Sequence, residues 1–308
     1  MHKSRVLAAD VGGTNIRAAW VDDLGNIGDE RRIQADLSRD DVGEADLIRI
    51  LADFFQAYLD DIAGIQAIGL GFPGFFLGDS GVLAASPNLP QLLDVALAEQ
   101  LSNMLSLPVL VQNDALCAAL GEQRFGAAKG EANLLHITLG TGVGGGLILH
   151  HQAYTGESGM AMEFGHLRVQ TGVSARRCGC GGLGCVEAYA SSTAIQAIYA
   201  ELKGEILTTK VIYQRACEGD AVARCVFEEA GASLGQAIAE AVKLLDIHTV
   251  TISGGLLGAW GIFHPALMEA LNQHVISPLK GKVKVLPSTL NDAAGILGAA
   301  AMALAECD

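Results

Sequence analysis

The sequence predicts an α/β protein whose largely parallel sheets are covered by helices on both faces. Three observations carry this. Short apolar runs such as Arg5–Asp10, Ala67–Phe72, Val109–Val111, Leu134–Leu139 and Thr249–Ser253 alternate with longer segments of helical periodicity. A strand, Gly/Thr turn, strand pattern occurs once in each half, as AADVGGTNIRAAW and ITLGTGVGGGLIL. With 308 residues and 50% hydrophobic content, the chain is long enough for about two domains with a substantial core.

Arg5–Asp10 reads as a strand ending in a carboxylate, Val11–Thr14 as a tight turn and Ile16–Val21 as the returning strand, with a further turn at Asp22–Asn26. Asp46–Asp61 has apolar residues at helical spacing and acidic ends, the mark of an amphipathic helix. Ala67–Phe72 is a buried strand broken by Pro73-Gly74, and the loop Ser86–Pro90 opens a helix over Gln91–Leu105. Val109–Val111 is a strand with Gln112-Asn113-Asp114 at its carboxyl end; Ala115–Phe125 follows as a helix crossing between domains. In the second half, Leu134–Leu139 is a strand, Gly140–Gly146 a turn and Leu147–His150 a strand. Val186–Leu202 and Ala221–Leu245 are helical, Thr249–Ser253 is a strand ending in Gly254-Gly255, and His264–Ile276 is a helix. Val283–Leu286 is a strand, and Asp292–Ala305 is a helix of small residues suited to close packing.

The net charge of −14 argues against nucleic acid or an anionic membrane as partner. No apolar run reaches the ~18–20 residues of a membrane span, and MHKSRVLAAD has no signal-peptide core. Seven Cys without a secretory context argue against a disulfide framework and for a cytoplasmic protein.

Glu163–Glu187 gathers two carboxylates, His166 and three Cys into one stretch. Cys178, Cys180 and Cys185 with His166 form a Cys3His set, which suits closed tetrahedral Zn2+. The structural alternative is three loop thiols that never meet a metal. A clip here would also fix Glu163 and Glu187, as a site for a polyhydroxylated ligand requires. The turn Asp10-Val-Gly-Gly-Thr14 offers bare N–H groups and a hydroxyl to phosphate oxygens and a carboxylate to Mg2+. Its counterpart contains G-x-G-x-x-G at Gly140, Gly142 and Gly145, but a dinucleotide fingerprint opens a helix, whereas a strand follows here. Asp114 is positioned to take a proton from a substrate hydroxyl, and it is equally well placed to be a helix N-cap. Gly254-Gly255 permits a flat ring to approach the backbone, or is a plain strand-to-helix turn.

These pieces, together with GFPG at 71–74, SPNLP at 86–90, QND at 112–114, EFGH at 163–166 and ISGG at 252–255, run in the order seen in the ROK family, which the chain resembles over nearly its whole length. The resemblance implies a two-domain actin-like ATPase (ribonuclease H-like) fold with an interdomain cleft and a zinc-binding loop. Its domains would be 1–118, completed by the helix 292–308, and 119–291. It implies an ATP-dependent kinase acting on a hexose hydroxyl, with glucose the first choice and N-acetylglucosamine, N-acetylmannosamine or fructose the alternatives. Asp114 would be the base; Gly74, Asn88, Asn113, Glu163, His166 and Glu187 would hold the sugar. Asp10, Gly12, Gly13, Thr14, Asn15, Gly140, Thr141, Gly142, Gly144, Gly145, Gly254 and Gly255 would hold ATP and Mg2+. His166, Cys178, Cys180 and Cys185 would hold structural zinc, and the protein would be a homodimer. Two departures lie near the sugar: Met162 stands where the family usually has Gly, and Phe75-Phe76-Leu77 replaces a common Pro-Val-Asp. A sugar-responsive regulator without catalysis is the alternative from another class; the repressors of the family carry a helix-turn-helix segment before the first turn, where this sequence has nine residues.

Overall fold

The structure is a computed structural model of the chain, describing residues 4–307 apart from Gly13, Ser38, Asp40, Asp41 and Asn88. The chain divides into two compact units: Met1–Ala132, Gly146–Ala161 and Thr289–Asp308 form the first, and Asn133–Gly145 and Met162–Ser288 the second. The boundary therefore differs from a cut at residue 118.

The first unit is built on β1 (Arg5–Val11), β2 (Asn15–Asp22), β3 (Ile27–Gln34), β4 (Ile65–Phe72) and β8 (Val109–Asn113), in the order β3-β2-β1-β4-β8. β1 runs parallel to β4, and β4 to β8, while β2 and β3 return antiparallel. Successive side chains of β1 point to opposite faces. Leu7, Ala9 and Val11 enter one core with α1 (Glu44–Asp61) and α2 (Leu97–Leu105); Val6 and Ala8 enter another with α9 (Ala294–Cys307). Burial on both faces explains the uninterrupted apolar runs. The small residues of α9 have a concrete reason: a Cβ on Gly298 would stand 1.6 Å from the Cys117 carbonyl oxygen on α3 (Asp114–Phe125), and one on Gly121 would stand 2.6 Å from that of Ala294. Helix α3 lies wholly in the first unit, so it does not cross between domains. A small sheet of β5 (Phe75–Phe76), β6 (Leu83–Ala85) and β7 (Leu93–Val95) packs nearby, with Phe76 edge-on to Phe72. The expected helix at Gln91 begins only at Leu97, because Leu93 and Val95 pair with β6 and Asp94 takes a left-handed φ of 52°.

The second sheet has the order β11-β10-β9-β12-β13, from β9 (Leu134–Leu139), β10 (Val143–Leu149), β11 (Gln152–Ala153), β12 (Thr249–Ser253) and β13 (Lys284–Pro287). β12 is parallel to both β9 and β13. β10 begins at Val143, so Gly144 and Gly145 are strand residues and the expected turn is confined to Gly140–Gly142. The predicted helix Val186–Leu202 is broken into α4 (Glu187–Ala190) and α5 (Ser192–Lys203) by Ser191, whose hydroxyl accepts from Ala194 N–H. α6 (Thr209–Cys217), α7 (Ala221–Leu245) and α8 (Trp260–His274) complete the unit; α7 and α8 pack closely through Gly231 and Gly235. Among the described residues, no helix is long and apolar enough to cross a membrane.

Candidate active site

In the first unit, the parallel register sets Asp10 beside Gly71 and Gly71 beside Gln112. The carboxyl ends of β1, β4 and β8 thus bring Asp10, Gly74, Asn113 and Asp114 to one edge of the sheet, where open α/β sheets bind ligands. Gly12 N–H donates to the Asn15 carbonyl at 2.8 Å, and the Asn15 side chain donates to Thr14 Oγ1 at 3.0 Å. Gly12, Thr14 and Asn15 are exposed. Gly74 is buried, where a Cβ would meet Leu83 and the Ala85 carbonyl. Gly13 and Asn88 lie outside the described residues.

Asn113, not Asp114, is the N-cap of α3. Its Oδ1 accepts from Ala115 N–H at 3.0 Å and Leu116 N–H at 3.2 Å, while Nδ2 donates to the Gly74 carbonyl at 3.1 Å. Among the described residues this is the one acceptor of Nδ2, which has two hydrogens to donate. The cap is filled by its neighbour, and the Asp114 carboxyl accepts locally from backbone N–H groups, with Ala115 N–H to Oδ1 at 2.9 Å. Asp114 is solvent-exposed, yet the protein massed around its carboxyl raises it above the ordinary carboxylate range, and the charge of Asp10 raises it further. Water reaches the group, so it is a perturbed carboxyl at an open edge rather than an enclosed one.

In the second unit, the turn after β9 is tied down by Ser192 N–H to the Gly140 carbonyl at 2.9 Å and Thr193 Oγ1 to the Thr141 carbonyl at 2.9 Å. Gly254, at φ 98°, ends β12; a Cβ there would lie 2.2 Å from the Leu139 carbonyl oxygen, so the two glycine turns sit side by side. Gly255 is exposed with open space where a Cβ would stand. Gly144 is half-buried in β10, and Gly145 lies against the Met162 carbonyl and Phe164.

Met162 has φ 72°, the left-handed conformation that Gly adopts at least cost, which gives a backbone reason for the residue usual there. Glu163 follows and precedes the short turn Phe164–His166. Burial raises the Glu163 carboxyl, His166 lowers it and Glu187 raises it. Glu187 spans two features. Its Oε2 accepts from Val143 N–H at 3.0 Å, at the glycine turn, and its Oε1 lies 3.4 Å from Cys178 Sγ.

The candidate metal ligands converge: one donor atom each from His166, Cys178, Cys180 and Cys185 lies within 4.8 Å of all the others. Zinc–sulfur bonds of about 2.3 Å in a tetrahedron put two sulfurs about 3.8 Å apart. Cys180 and Cys185 Sγ are 3.8 Å apart, and Cys178 Sγ is 3.7 Å from His166 Nδ1. His166 Nε2 faces Glu163 Oε2 at 3.5 Å. One ring nitrogen thus turns to the thiols and the other to a carboxylate, the arrangement that suits a metal-ligating His. The loop closes at Gly184, whose φ of 78° and close approach to the Gln170 carbonyl exclude a side chain.

Two groups escaped the reading of the sequence. Arg17 pairs with Asp10, a partnership legible only by counting across the β1–β2 hairpin. His136 is fully buried on β9, and lack of water lowers it to about 3. Its ring nitrogens meet Thr251 Oγ1 at 2.8 Å and Ser253 Oγ at 2.9 Å. Only the parallel β9–β12 register reveals these partners.

A sequence model of the ROK family matches residues 6–306. The chain is 31% identical to a glucokinase of Thermotoga maritima, with 98% of each chain covered, and 33% identical to an N-acetylmannosamine kinase of Escherichia coli O1:K1, with 97% of this chain and 98% of that one covered. The ROK family glucokinase of Streptomyces griseus, solved with glucose and AMPPNP, superposes with a TM-score of 0.78 at 29% identity, covering 98% of this chain and 99% of that one. With a family match from the first strand to the last helix, and with the glycine turns, the EFGH segment and the Cys3His cluster in the order observed, the chain belongs to the ROK family.

Proposed function

We propose that the protein is an ATP-dependent sugar kinase that transfers a phosphoryl group to a hexose hydroxyl, with glucose giving glucose 6-phosphate as the preferred reaction. The observation that carries this reading is the division of labour at the start of α3. Asn113 supplies the cap, so the start of α3 does not depend on Asp114, whose raised carboxyl stands at the carboxyl end of the sheet. Asp114 accepts the proton of the attacking hydroxyl. Glu163, Glu187, the Nε2 side of His166, the Nδ2 group of Asn113 and the backbone at Gly74 hold the sugar; Asn88 joins this set from its place in SPNLP. The turns at Asp10–Asn15, Gly140–Gly142 and Gly254–Gly255 hold the nucleotide phosphates and base, with Gly144 and Gly145 shaping the second turn from its strand. Asp10 is a hard oxygen donor of the kind Mg2+ takes, and Mg2+, when bound, neutralises charge on the phosphates. His166, Cys178, Cys180 and Cys185 fit structural zinc, whose office is to hold the loop.

An N-acetylhexosamine is the second reading of the acceptor, supported by the kinship to an N-acetylmannosamine kinase. An ADP-release assay with Mg·ATP over hexoses and N-acetylhexosamines decides. Glucose should give the highest kcat/KM; a higher value for N-acetylmannosamine reassigns the sugar, and no ADP release with any of them overturns the kinase reading.

A further inference from the structure

The β1–β2 register sets Arg17 directly opposite Asp10. Arg17 Nη2 donates to Asp10 Oδ2 at 2.8 Å and to the Asp292 carbonyl at 2.8 Å. Both side chains are largely shielded, at 18% and 26% exposure. The carboxylate is enclosed on a further side by α9: a Cβ on Gly295 would stand 3.1–3.2 Å from Asp10 Cγ and both its oxygens. The guanidinium is therefore fixed by a backbone carbonyl from the segment that leads into α9, and is not a mobile surface partner. Two carboxyls, Asp10 and Asp114, close one end of the same sheet, near enough that one charge acts on the other. Such a pair attracts a divalent cation, and a permanent cation bonded to Asp10 opposes that attraction.

We propose that Arg17 is a positioning residue, the resident counter-ion of Asp10, which occupies one carboxylate oxygen and keeps free divalent metal out until metal arrives already bound to nucleotide. The inference rests on the assignment of Asp10 to the metal–nucleotide side of the kinase reading. Removing a unit charge a few ångströms from a divalent ion, in a partly hydrated site, changes its affinity roughly ten- to a hundredfold.

The test is Mn2+ titration of nucleotide-free, zinc-loaded protein, followed by electron paramagnetic resonance of the unbound ion. Wild type should bind no stoichiometric Mn2+ at submillimolar concentration. Arg17→Met, which keeps length and loses charge, should gain one site at least about tenfold tighter. Arg17→Lys should restore exclusion, and Arg17→Met combined with Asp10→Asn should abolish the gained site. If Arg17→Met does not fold by circular dichroism, Arg17→Gln takes its place. Wild type and the neutral variant binding Mn2+ alike overturns the proposal, as does a gained site that survives Asp10→Asn. ADP release by wild type with Mg·ATP and sugar is measured alongside: its absence overturns the kinase reading, whereas its presence with unchanged Mn2+ binding overturns only the role of Arg17.

Discussion

Asp114 shows how much rests on one neighbour. Had Asp114 been the cap, replacing it with Asn would be nearly neutral; with Asn113 in that place, the carboxyl of Asp114, raised by the protein around it, counts against folding at neutral pH. The direction of the pH effect follows. A carboxyl raised in the folded state contributes stability in full below the unfolded carboxylate range, and that contribution is lost as pH rises through the raised value. Asp114→Asn should therefore raise Tm at pH 7, with the gain shrinking to nothing at pH 3–4, as differential scanning calorimetry at several pH values would record. His136 runs the other way. Held at about 3, it stays neutral in the fold while the unfolded chain takes up a proton below about 6.5. Stability is thus complete above that value and falls with acidification toward 3. His136→Gln should cost roughly 1–3 kcal/mol at pH 7, since buried Thr251 and Ser253 lose a partner. The cost should narrow between pH 6.5 and 4 in urea unfolding.

At the scale of elements, the two glycine turns of the second unit and the Cys3His loop are each held by contacts far apart in sequence. The apolar strands and the long helix Ala221–Leu245 were legible because periodicity and length are local signals. Polar β3 was not, because Ile27–Gln34 pairs only with β2 at the edge of its sheet and buries little. The Cys3His cluster was legible from spacing alone, but the choice between Asn113 and Asp114 as cap was not. Neither was the bridge that Glu187 makes from Val143 N–H to Cys178, since both depend on backbone placement. That bridge gives the loop a testable duty. Cys180→Ser should lose the metal and, with it, the positions of Glu163 and Glu187. Zinc content by elemental analysis should fall from one per chain to near zero, and the KM for sugar should rise more than the KM for ATP. Full zinc in the variant, or an unchanged sugar KM after zinc loss, would contradict this. Gly254→Ala should destabilise the protein by about 2 kcal/mol or more, because its φ of 98° and the 2.2 Å approach to Leu139 both exclude a Cβ; chemical denaturation checks it.

For the whole molecule, we propose that Asp114 carries the chemistry while a separate group of side chains holds the sugar. Asn at 114 retains the Oδ1 that accepts from Ala115 N–H, and Asn113 keeps the helix capped, so fold and sugar site should persist. General-base catalysis contributes roughly 10²–10⁴-fold. The most direct measurement pairs steady-state ADP release with calorimetric sugar binding for wild type and Asp114→Asn, both zinc-loaded. In Asp114→Asn kcat should be lower by about 10²–10⁴-fold with sugar Kd within about threefold of wild type; a near-normal kcat in the folded variant would remove Asp114 from the role of base.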